Sequence, residues 1–179
     1  MLSILRRIAQ EIDLAGDLVG ALSIVARCVR EAMQVHLCRI YLVDQTRKQY
    51  VLMAFDNNEI LPVPSPSLAL DDGLLGLVLQ RVAPVAHLNL TGDDANEKLA
   101  FLGVPIVYHR QVLGVIAVEE ANHRLFTEDE EAFLVTLAAQ LAGTVVHAKD
   151  MGFVFKANEA PLEATCLQGI PAVAGVAIG

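Results

Sequence analysis

The chain has no tryptophan, three cysteines and few cationic residues, and each scarcity removes a class of function. Cys28, Cys38 and Cys166 are odd in number and far apart, which argues against a disulfide framework or a CxxC-type zinc site. Thirteen Lys and Arg against twenty-one Asp and Glu leave a net charge of −8. Nucleic acid and anionic membrane surfaces need basic stripes, so both are disfavoured as partners. No GxGxxG, no GK[ST] and no HExxH occurs, and none of the four serines, Ser3, Ser23, Ser65 and Ser67, sits in a nucleophile elbow. No catalytic residue and no metal ligand can therefore be assigned. The longest uncharged runs, Ala132 to Ala148 and Ala164 to Gly179, fall short of the roughly 20 apolar residues of a membrane-spanning helix. Arg6, Arg7 and Glu11 break the N-terminal apolar residues into an amphipathic pattern unlike a secretion signal. These features point to a cytoplasmic, reduced protein.

What is abundant is apolar sequence. Hydrophobic residues make up 54% of the 179, and the mean hydropathy is +0.48. That is enough for a core, with apolar surface left for a partner to cover. Leu2, Leu5, Ile8 and Ile12 follow a helical period, as do Leu18, Leu22, Val25, Val29 and Met33 behind a candidate N-cap at Asp17. The period then switches to strands at "HLCRIYLVD" and "QYVLMAF". The three prolines of "NNEILPVPSPS" make it a loop. A short strand "LAL", a short helix "DDGLLGLVLQRV", a strand "PVAHLNL" and two strands around His109 to Gln111 follow. The last helix begins at the capping-box spacing of Thr127 and Glu130. Strand and helix do not alternate, so an α+β fold is expected, with an antiparallel sheet of five or six strands and the terminal helices on one face.

Two finer expectations come from periodicity. Along the first strand Cys38, Ile40 and Leu42 share one face, and Arg39, Tyr41 and Val43 share the other. The apolar set should meet the helices. In the last helix Phe133, Leu137 and Ala138 can cover the sheet, which leaves Leu134, Leu141, Val145 and Ala148 as a flank for a homodimer interface.

The order of elements, with "RCVREAMQVHLCRIYLVD", "DDGLLGLVLQRVAPVAHLN", "FLGVPIVYHRQVLGVIAVEE" and "FTEDEEAFLVTLAAQLA", resembles a GAF sensory domain over residues 1–150. "FLGVPI", "VLGV" and "EEAFLVTLAAQLA" resemble more narrowly the N-terminal GAF domain of nitrogen-type enzyme I, a phosphoenolpyruvate-protein phosphotransferase. On that resemblance residues 151–168 are a linker, and 169–179 are the truncated start of the phosphotransferase region. Gly169, Pro171, Ala172, Gly175, Ala177 and Gly179 match its opening stretch, and Val173 and Ala174 depart from it.

The resemblance implies a regulatory domain that binds a nitrogen-status metabolite, such as glutamine or 2-oxoglutarate, and controls autophosphorylation of a downstream histidine. It implies Mg²⁺ and a phosphocarrier protein for the parent enzyme, and no cofactor or transferase activity for this segment. The ligand side would be the face of Arg39 and Tyr41, with His87 and Asn89 as further lining; there Arg39 either clamps a carboxylate or lies at the rim, paired with an acid such as Glu119 or Glu120. "LNLTGDDANEK" is shorter than its counterpart in many relatives, which leaves open an alternative: a dimerisation module with no ligand. Cysteines in pocket loops and an NKFDE-like motif, expected of sulfoxide-reducing or cyclic-nucleotide GAF domains, are missing.

Overall fold

Helices start in this chain where a side chain can accept the free backbone N–H groups of the first turn. Asp17 accepts from the N–H of Gly20 at 2.6 Å, and α2 (Leu18–Met33) follows. Thr127 and Glu130 cap one another reciprocally at the start of α4 (Glu128–Asp150), the capping box that the spacing predicts. The computed structural model describes residues 2–58, 66–88, 99–122 and 124–153. The other elements are α1 (Leu2–Leu14), β1 (Leu37–Asp44), β2 (Gln49–Asn57), β3 (Ser67–Ala69), α3 (Gly73–Arg81), β4 (Val85–Leu88), β5 (Ala100–Tyr108) and β6 (Gln111–Glu120). Residues 154–179, with most of the expected linker and the expected start of the phosphotransferase region, lie outside the described residues.

The six strands form one sheet in the order β3-β2-β1-β6-β5-β4, and every neighbouring pair is antiparallel. The first strand of the chain and the last are therefore partners at the centre, with Ile40 opposite Ile116. Gly114 permits their close approach, because a Cβ there would stand 2.2 Å from the carbonyl oxygen of Tyr41. Cys38, Ile40 and Leu42 face the helices, joined by Leu102, Val104, Ile106, Ile116 and Val118. Helices α2 and α4 cover this face, and α1 packs against both. The pair of ionisable residues His36 and Glu120 is also buried, at the end where β1 begins and β6 stops; His36 Nδ1 lies 2.6 Å from Glu120 Oε1.

One expectation fails here. Leu134, Leu141 and Val145 are fully buried, at 0% exposure, in the same core as Phe133 and Leu137. Ala148 is half-buried against that core. They are not a flank available to a second subunit. The reason is lateral packing: α4 lies beside α2 and α1 as well as over the sheet, so helices of the same chain fill the side that periodicity left over. The exposed side of α4 instead carries Ala132, Val135, Thr136, Ala139, Gln140 and Gly143.

On the opposite face Tyr41, Val43, Tyr50, Leu52, Phe101, Val115 and Ala117 form a second, smaller core under α3, which contributes Leu75 and Val78. A bulge in the β1–β2 pairing, between Ile40 and Tyr41, puts both Met53 and Ala54 on the helix side, while Tyr50 and Leu52 stay on this one.

Candidate functional site

The second face is only partly covered. Helix α3 sits over β5, where Gly103 makes room: a Cβ there would stand 2.9 Å from Val78 Cγ2 and 2.7 Å from the Phe101 ring. Tyr50 Oη donates to the carbonyl of Leu75 at 3.0 Å and pins β2 to the helix. Burial pushes the Tyr50 phenol up to about 12, so it stays a neutral donor. Beside this anchored patch a cavity of about 450 Å³ opens between the start of α3, β3, β4 and the end of the β5–β6 ladder.

Its walls are mostly apolar, with Leu68, Leu74, Leu75 and Phe101 prominent, and its polar groups are Arg39, Glu119, Asp72 and His87. Arg39 Nη2 donates to Glu119 Oε1, and the two side chains are 17% and 14% exposed. The pairing follows from register and period two. Arg39 lies opposite Ala117 and Leu37 opposite Glu119, so Arg39 and Glu119 share a face, while Glu120 turns to the other side and meets His36. Arg39 Nε is buried and has no hydrogen-bond partner. A guanidinium offers five N–H donors and no acceptor, so this N–H leaves donor capacity unused beside the cavity.

Of the residues expected to bind, Arg39 and His87 line the cavity. Tyr41 does not: it is fully buried beneath Arg39, with the guanidinium carbon 5.8 Å from its ring centroid. Its ring meets that of Tyr50 edge-on, with centroids 6.1 Å apart. Burial raises the Tyr41 phenol, and Arg39 partly offsets the rise. Tyr41 thus supports Arg39 from below. Asn89 lies outside the described residues. Glu119 enters as the acid that pairs with Arg39, one of the two expected from the sequence, and Asp72 and Phe101 are lining residues that were not expected. For Glu119 the signal existed, since the alternation along "VIAVEE" sets it on the face of Val115 and Ala117 once β6 is paired with β1. Asp72 and Phe101 carried no such signal, because their place depends on where α3 and β5 dock.

Cys28 and Cys38 lie on the helix side, away from the cavity, and burial raises both thiols. Among the described residues no group of three or more His, Cys, Asp or Glu is placed to hold a metal ion. Helix α4 is long and apolar enough to cross a membrane, but its apolar side is spent on the core.

Comparison with known proteins sharpens this picture. The family model "GAF domain" matches residues 17–145. A curated relative from Escherichia coli (strain K12), a "Phosphoenolpyruvate-dependent phosphotransferase system" protein, is 34% identical over 187 residues, which cover 99% of this chain and 24% of the relative. The chain thus spans about a quarter of the length of the curated relatives it matches. The crystal structure of the GAF domain from an Acinetobacter phosphoenolpyruvate-protein phosphotransferase superposes with a TM-score of 0.74 at 40% identity, covering 86% of this chain and 97% of that one. The corresponding GAF domain from Coxiella burnetii gives 0.74 at 34% identity, over 84% of this chain and 95% of its own.

Proposed function

Since this chain belongs to the GAF domain family, within the group found in phosphoenolpyruvate-protein phosphotransferases, we propose that it is the regulatory sensor of such an enzyme and binds a small nitrogen-status metabolite in the cavity beside Arg39. The observation that carries this reading is the buried, unpartnered Nε of Arg39 at a cavity large enough for a small metabolite. Arg39 next to Glu119 and Asp72 suits a zwitterion: the ligand carboxylate takes the guanidinium and its ammonium meets a carboxylate. A dianion such as 2-oxoglutarate meets Glu119 and Asp72 as like charges, so L-glutamine is the first ligand to test. Occupancy draws Glu119 away from Arg39, at the end of the strand that leads into α4, and α4 carries the change onward. The reaction so controlled is autophosphorylation of a histidine in a downstream catalytic region, with Mg²⁺ and a phosphocarrier protein serving the whole enzyme. The setting is cytoplasmic. A homodimer would use the exposed strip of α4 around Val135.

A second reading rests on the Arg39–Glu119 pair itself, which already engages the guanidinium without a ligand. On it the domain is an interaction module. Titration calorimetry with L-glutamine and 2-oxoglutarate separates the two. Saturable heat with glutamine, lost in Arg39→Met and weakened in Arg39→Lys, supports the sensor. No heat with either compound supports the interaction module, and equal binding by all three proteins would show that Arg39 is not the clamp.

A further inference from the structure

The end of the sheet where β1 turns into β2 and β5 into β6 is used neither by the core nor by the cavity. Strands β1 and β6 are neighbours, with Leu42 opposite Gly114, so the two turns lie side by side. In the β5–β6 hairpin Tyr108 pairs with Gln111, which leaves His109 and Arg110 as a two-residue loop with φ of 47° and 66°. Positive φ at both positions is a type I′ turn, whose preferred occupants are Asn-Gly. In the β1–β2 loop Asp44 Oδ1 accepts from the N–H groups of Thr46 and Arg47, at 3.0 and 3.2 Å, and Lys48 takes the left-handed position with φ 53°. Three left-handed positions that Gly or Asn would occupy without strain are thus filled by Lys, His and Arg.

All three side chains are exposed, as is Arg47. Tyr108 is 42% exposed, with its ring 4.3 Å from that of His109. Lys48 and Arg110 form no ion pair among the described residues, and Arg47 reaches only Asp44 of its own turn, at 3.7 Å. On a chain of net charge −8, this is a cationic patch with an exposed aromatic ring, built from residues that turns selected for stability alone would not use.

We propose that these paired turns are a docking surface for an acidic segment of a partner protein. Charge complementarity selects the occupant. Tyr and Arg are the residue types that anchor protein contacts. A two-fold axis through the patch would set the same cationic residues against each other, so the acidic segment lies on a different surface. Nucleic acid would meet the net negative charge of the rest of the chain.

The test is an NMR titration of the isotope-labelled chain with a soluble peptide that alternates Glu-Asp and Leu. The expected result is saturable shifts confined to residues 45–48 and 108–111. Raising the salt from about 20 to about 200 mM should weaken binding several-fold. The double charge reversal Arg47→Glu with Arg110→Glu should weaken it at least about tenfold. The double substitution His109→Asn with Arg110→Gly should raise the melting temperature by a few degrees, because it supplies the preferred turn residues, and should also lose the binding. Absence of binding at low salt, shifts centred elsewhere, or unaltered binding by the charge-reversed variant would overturn the proposal. So would a lower melting temperature in the Asn-Gly variant, since the turn residues would then serve folding. Binding to vesicles with roughly 30% phosphatidylserine, but not to the peptide, would overturn the assignment of a protein partner.

Discussion

The two faces of the central sheet share strands but not chemistry. On the helix side α2 and α4 close over Ile40, Leu42, Ile106 and Ile116, and the buried ionisable residues His36 and Glu120 are paired at its end. On the other side α3 covers part of the surface, tyrosines replace aliphatics, and an arginine–glutamate pair stands at the mouth of a cavity. The difference separates two tasks. A face covered by amphipathic helices gains stability from apolar burial, at roughly 25 cal/mol per Å². A face left partly open gives up some of that burial and keeps groups whose interactions can be exchanged for those of a ligand. Substitutions on the first face should therefore act on folding, and substitutions on the second on binding.

The largest expected effect is on the helix side. Leu134→Glu puts a carboxylate where no partner exists, and cooperative unfolding monitored by circular dichroism should be lost. A folded monomer from this variant would return Leu134 to the surface. Leu137→Ala leaves a cavity in the same core and should cost about 3 kcal/mol in urea denaturation. A loss under about 1 kcal/mol would show that the face is loosely packed.

Effects on the cavity side should be smaller. Arg39→Met leaves Glu119 without its cation and should cost about 1–2 kcal/mol, whereas Glu119→Gln keeps an acceptor for Arg39 and should cost less than about 1 kcal/mol. Denaturation of both variants beside the parent checks the order, and the reverse order would mean that the pair is held for the glutamate. Tyr50→Phe removes one hydrogen bond and should cost about 1 kcal/mol. It should also change the alkaline limb of stability. The Tyr50 phenol is raised from its ordinary 10 to about 12 in the folded chain. The folded state therefore holds its proton more tightly, and stability is fully present below pH 10 and falls as the pH rises through 12. Tyr50→Phe should flatten that fall, and an unchanged slope would locate the proton elsewhere. The smallest effect belongs to Val135→Ser on the exposed strip of α4, within about 0.5 kcal/mol. Its readout is sedimentation, where a dimer that uses this strip should weaken.

The caps at Asp17 and Thr127 were legible because each depends on residues within a few positions of one another, and the α+β class with its antiparallel sheet followed from an element order in which strand and helix do not alternate. The two faces of β1 were legible for the same reason: alternation alone separates Cys38, Ile40 and Leu42 from Arg39, Tyr41 and Val43. The flank of α4 was misjudged because a periodic pattern shows that a side is apolar without saying what covers it. Leu134 and Leu141 suited a second subunit as well as they suit α1 and α2.

What the sequence by itself determined is local: where helices cap, which strand residues share a face, and that one arginine stands on the half-covered side. What the tertiary structure decided is every relation across the chain. It set β6 beside β1, so that Glu119 meets Arg39 across 80 positions. It buried Tyr41 beneath that pair, although it neighbours Arg39 on the same face, and it buried Leu134, Leu141 and Val145 of α4 within one molecule. The physical reason is that period and propensity act over one or two turns of chain, whereas register, docking and burial are fixed by how all the apolar surfaces together find cover.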